Sequence, residues 1–98
     1  SRAFAERILK SPATSFPDRL DWAFELATGH PADSIRKEVL KDAYSFQSKM
    51  FGKEPKRADD LLKIGETQRD SSIPPQEHAT WTVLASMILN LDETLNRE

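Results

Sequence analysis

Cysteine is absent from the chain, which excludes disulfides, thiolate metal centres and covalent haem attachment within it. That absence assigns no compartment, because disulfide-free domains occur on both sides of a membrane. Glycine occurs three times, never in a phosphate-cradling GxGxxG or P-loop pattern, and GxSxG and HExxH are missing too. The two histidines, His30 and His78, are far apart and have no carboxylate at a spacing that would place two ligands on one helix face. Ser71 and Ser72 have no companion base. The expectation is therefore no catalytic residue, no bound cofactor and no metal. Net charge is also small, −2, so no whole-protein field would gather nucleic acid or anionic lipid. No basic stretch followed by an apolar run opens the chain, and it starts at Ser1 without a methionine. It reads as a segment of something longer, with any export signal upstream.

What the 98 residues do contain is helical periodicity, in an amount that fits one domain over 1–98 and one modest core. Ala3, Phe4, Ala5, Ile8 and Leu9 predict a short amphipathic helix that ends before Pro12. Pro17 suits the first turn of a second helix that runs to about Thr28, with Gly29 as its terminator. Its apolar arc holds Leu20, Trp22, Ala23, Phe24, Leu26 and Ala27. Asp33 caps a long third helix from Ser34 to about Phe51, closed by Gly52. There Ile35, Val39, Leu40, Ala43, Tyr44, Phe46, Met50 and Phe51 share half the circumference, which suits a helix packed against two neighbours. Lys37, Lys41 and Lys49 on the opposite side read as a solvated face, since Glu38 and Asp42 interrupt it. Pro55 opens a fourth helix burying Ala58, Leu61, Leu62 and Ile64 before Gly65, and the segment 66–75 is a connection.

The longest uncharged run lies between His78 and Leu91. A fifth helix from about Pro75 carries it, with Glu77 in a favourable first turn and apolar residues over about 240° of its circumference. Such a helix has to be nearly surrounded. A membrane span is the rival reading, but the run is only about 20 Å long at helical rise, against a hydrocarbon core of roughly 30 Å, and Thr80, Thr82, Ser86 and Asn90 interrupt it. The fold expected is all-α, a compact bundle of about five helices around a buried C-terminal helix.

Three charges, Arg19, Arg36 and Asp92, sit inside the apolar arcs of their helices. Asp92 projects along the line of Trp81, Ala85 and Ile88, and Arg19 lies within the arc of the second helix. Arg19 fits two readings, a stem that snorkels to water or a partner for Asp92, since a buried carboxylate must be paired or hydrogen-bonded. An Arg19–Asp92 ion pair docking the second helix on the fifth is the structural expectation, with Arg36 as the alternative partner. Trp22 and Trp81, with Glu93, the neighbour of Asp92, are the candidate ligand or partner surface, provided that a ring is exposed beside Asp92 in a cleft.

The segments TWTVLASMILNLDETLNRE, LLKIGE and QRDSSIPPQEHATW resemble the C-terminal end of an uncharacterised domain of planctomycete-type bacterial proteins, and RLDWAFELATGHP resembles an earlier segment of it. That domain typically follows a cytochrome c-like module. The resemblance covers nearly the whole chain. It implies a periplasmic or cell-surface location and upstream domains of the same polypeptide as partners. Two positions depart from the pattern: His30 stands where an arginine is usual, and Arg36 where a glutamate would complete a capping box. The haem-binding CxxCH motif is absent, so no redox chemistry carries over. The functional expectation is a noncatalytic helical domain, structural or partner-docking, in a large exported protein. The alternative is an accessory wall of a carbohydrate-binding or enzymatic site formed with upstream domains. The oligomeric state is open.

Overall fold

A computed structural model describes residues 2–29, 32–63 and 72–95, with the side chains of 91–95 excepted. These residues form helices α1 (Arg2–Leu9), α2 (Phe16–Thr28), α3 (Ser34–Lys53), α4 (Pro55–Leu62) and α5 (Pro75–Leu95), without a strand. The radius of gyration is 13.1 Å, the value expected for a compact chain of this length.

Local chemistry sets most boundaries. The Ser11 hydroxyl donates to the Ile8 carbonyl at 2.6 Å and closes α1 ahead of Pro12. Ser15 caps α2, its hydroxyl accepting from the Asp18 amide at 3.3 Å, and Pro17 occupies a first-turn position where no amide is needed. Gly29 ends α2 at φ 88°, donating its amide to Glu25. A side chain there would meet the left-handed penalty. Asp33 caps α3 by accepting from the Arg36 amide at 2.8 Å. The Arg36 guanidinium also returns to the Asp33 carboxylate. Arg36 thus contributes to the helix start in place of the glutamate of a capping box, and its described ion pair is local, with the N-cap of its own helix.

Gly52 does not close α3. The helix runs on to Lys53, and only Glu54, at φ −128° and ψ 74°, separates it from α4. Pro55 causes the break, because the ring of a proline disfavours helical backbone at the preceding residue. The role of Gly52 is proximity: a β-carbon there would sit 3.0 Å from the Gln76 amide nitrogen, which donates to the Ser48 carbonyl at 2.7 Å.

Helix α5 is the centre of the bundle and packs on each of the other helices. On one side Trp81, Leu84, Ala85 and Ile88 join Ala5 and Ile8 of α1, Leu20, Ala23 and Phe24 of α2, and Leu40 of α3. On the other, Ala79 and Val83 meet Phe51, Ala58 and Leu62 at the α3–α4 end. Each fully buried aliphatic side chain contributes about 1.5–3 kcal/mol relative to exposure. Thr80 and Thr82 are also buried. Their hydroxyls donate to the carbonyls one turn back, on Gln76 at 2.7 Å and His78 at 2.8 Å, so they interrupt the apolar sequence without leaving orphaned polar groups. At the far end of α1, Arg2 donates to the Leu62 carbonyl at 2.8 Å and caps the C-terminus of α4 with a cation.

Two apolar arcs are wider in sequence than in burial. Leu26 of α2 is 46% exposed, and on α3 Ile35, Val39 and Phe46 are 76%, 49% and 66% exposed. Helix α3 does pack on two neighbours, α5 and α4, with Leu40 and Phe51 buried, but both lie on one side of it and leave the rest of the arc uncovered. Ile64, Gly65 and most of the connection to α5 lie outside the described residues.

Candidate functional site

Among the described residues the densest polar arrangement surrounds Glu77, in the first turn of α5. The Tyr44 hydroxyl from α3 lies 3.1 Å from each carboxylate oxygen and donates to them. Trp81, one turn along α5, donates its indole N–H to Oε1 at 3.2 Å. Arg19 of α2 places Nη1 3.8 Å from the same oxygen, and its Nε is buried without a hydrogen-bond partner. Phe16 leans against Tyr44 and Trp81 with ring centroids 4.8 and 5.6 Å away. One carboxylate thus collects hydrogen bonds from α3 and α5 and a cation from α2, beside a cluster of three tilted rings.

The chemistry of this hub favours holding over reacting. Burial, the Glu77 charge and the hydrogen bond to Glu77 together raise the Tyr44 pKa above its ordinary value of 10.0, with Arg19 opposing. A tyrosine acting as a base near neutrality needs the opposite displacement. Tyr44 therefore stays a protonated donor. The indole N–H of Trp81, a residue with no exposed surface, needs an acceptor, and Glu77 provides one.

Of the residues singled out in the sequence, Arg19 does meet a carboxylate, but the one described is Glu77, at the opposite end of α5 from Asp92. The side chains of Asp92 and Glu93 lie outside the described residues, and the Arg19–Asp92 pair with them. Trp81 does not serve as a surface aromatic, because it is wholly buried in the main core. Trp22 is half-buried and packs against that core. Its outer edge borders a shallow hollow of about 530 Å³ with Glu6, Arg7, Lys10 and Ser11. A second hollow of about 320 Å³, between Phe4, Leu26 and Leu89, is mostly apolar. Neither includes a hub residue.

Sequence reading missed Tyr44 and Glu77 as a pair. Glu77 and Trp81 one turn apart, with the chain's lone tyrosine in an apolar arc, was the signal available for them.

The exposed apolar residues of α3 form the other feature. At 100° per residue Ile35, Val39 and Phe46 fall within about 40° of one another, on the side of the helix away from Leu40 and Phe51. Among the described residues no group of His, Asp and Glu could hold a metal ion, and no helix is long and apolar enough to cross a membrane. Comparison with family models, curated proteins and solved structures gives no match to this chain.

Proposed function

We propose that this chain is a noncatalytic docking domain whose contact surface is the outer face of α3. The observation that carries the reading is the alignment of Ile35, Val39 and Phe46, each about half exposed or more, along one line of a 20-residue helix. Scattered exposed apolar residues are ordinary, whereas an aligned set is the form that a partner surface takes. The best-organised polar groups, around Glu77, are occupied in joining helices, which supports a structural use for them.

A photo-crosslinking residue at position 46 in the producing cell tests the reading. A discrete adduct is expected from position 46 and none from position 59, an exposed site on α4. Equal labelling from both positions, or none from either, rules it out. The further proposal, that the domain belongs to an exported chain downstream of a cytochrome c-like module, is supported by the residue resemblance alone. Fractionation of the tagged full-length protein decides it, and recovery only in the cytoplasm would exclude it.

A further inference from the structure

Resting on that docking reading, we infer that the outer face of α3 binds a second copy of this chain, with the two α3 helices antiparallel about a two-fold axis passing between Ser45 and Phe46. The apolar line supplies adhesion, and the charges beside it supply the choice of partner. Glu38, Asp42, Lys49 and Lys53 are all exposed and lie within about 60° of one another on the flank of that line. The acidic two occupy the N-terminal half of α3 and the basic two the C-terminal half. Among the described residues none of the four forms an ion pair.

Within one helix this arrangement is unfavourable. Glu38 and Asp42 are like charges at i,i+4, and so are Lys49 and Lys53, a spacing at which opposite charges would stabilise the helix. In an antiparallel pair the same flank of each helix meets itself in reverse order. Asp42 then lies beside Lys49 of the second copy, and Glu38 beside Lys53, about one and the same axis. Both like-charge pairs become halves of attractive contacts, and each contact occurs twice because the interface is isologous. Phe46 falls next to the axis and packs on its own symmetry mate. Val39 comes near Met50 of the second copy, and the aliphatic stem of Lys53 covers Ile35. A parallel pairing would place the charged flanks on opposite sides of the seam, so that no acid meets a base and the like-charge pairs within each helix gain nothing. A membrane surface would find the acidic half repulsive.

Sedimentation over about 1 μM to about 1 mM protein tests the pairing, with a dimer expected at a Kd of roughly 10–100 μM for so small an apolar contact. Raising the salt weakens it, since the charges are exposed. Phe46→Ser abolishes it. Glu38→Lys with Asp42→Lys, or Lys49→Glu with Lys53→Glu, weakens self-association by about tenfold or more, while a chain that carries all four reversals pairs with itself again. Helical content by circular dichroism checks that each variant is folded, as all substituted positions are exposed.

The orientation is read by mixing wild type with the fully reversed copy. Antiparallel pairing makes the two sort into homodimers, whereas parallel pairing, which keeps the charged flanks apart, lets them mix. A chain monomeric throughout, a dimer that survives Phe46→Ser or half-reversal, or wild type pairing with the reversed copy as readily as with itself overturns the inference. The position-46 adduct separates this failure from that of the docking reading. A monomeric chain crosslinked to a different polypeptide sinks self-pairing and leaves docking standing, and no adduct removes both.

Discussion

Replacing Glu77 by alanine removes the acceptor that Tyr44 and Trp81 share and the carboxylate nearest to Arg19. The largest cost falls on Trp81, whose indole N–H has no route to water in a fully buried residue; an orphaned buried donor costs about 1–3 kcal/mol. Tyr44 is only half-buried and recovers part of its bond from solvent. Arg19 and Glu77 have side chains 22% and 30% exposed at 3.8 Å, so their attraction is screened to about 0–1 kcal/mol. The first-turn charge of α5 is lost as well, worth about 0.3–1 kcal/mol. Glu77→Ala should therefore destabilise by about 2–4 kcal/mol, which lowers Tm by roughly 10–25 °C in a domain of this size. Glu77→Gln, which keeps a carbonyl for the indole, should cost about 1 kcal/mol. Thermal and urea unfolding followed by far-UV circular dichroism measure both, and a cycle with Tyr44→Phe should give a coupling of about 0.5–1.5 kcal/mol. If both Glu77 variants melt within about 2 °C of wild type, the hub is not what joins α2 and α3 to α5.

The remaining expectations are smaller in scale. Because the chain contains one tyrosine, phenolate absorbance reports Tyr44 alone, and the folded protein should ionise it above 10.0, where the unfolded chain does so. A folded pKa above the unfolded one means that the stabilisation is complete below pH 10 and is lost as pH rises through the folded value, a loss that Tyr44→Phe should remove; titration of the native phenol at or below 10.0 contradicts this. The glycines should respond in opposite ways. Gly29→Ala, at φ 88°, should destabilise by about 1–2 kcal/mol. Gly52→Ala should be neutral or stabilising by up to about 1 kcal/mol, since the group a methyl would meet is the flexible end of Gln76. Chemical denaturation of the two variants side by side checks the contrast, and equal losses at both positions would contradict it.

How legible each feature was in the sequence depends on how local its cause is. The start of α2 at Ser15 and Pro17 and its stop at Gly29 are written within a few residues. The burial of α5 was legible too, because an apolar arc of that width leaves few alternatives and its threonines satisfy themselves one turn back. Gly52 was misread because glycine marks both helix ends and close approaches, and only the position of Gln76 separates the two. The exposed part of the α3 arc was not legible because an apolar arc states how much surface a helix offers and not how much of it the neighbours α5 and α4 cover. Arg19 stood out as a stranded charge, yet the carboxylate it meets in α5 comes from tertiary geometry that no single helix pattern encodes.

The position of α5 also bears on the order in which the molecule is made. Helix α1 packs on α5, and the Arg2 carbonyl lies 3.4 Å from the His78 ring nitrogen, 76 residues along the chain. During translation α1, α2 and α3 leave the ribosome before the helix that covers their apolar sides has been synthesised. At about 5–20 residues per second that interval lasts a few seconds, and contacts of such long sequence separation form slowly. A nascent chain stalled before Trp81 should consequently remain open to protease and chaperone, and protection should arrive abruptly once residues up to Ile88 have emerged.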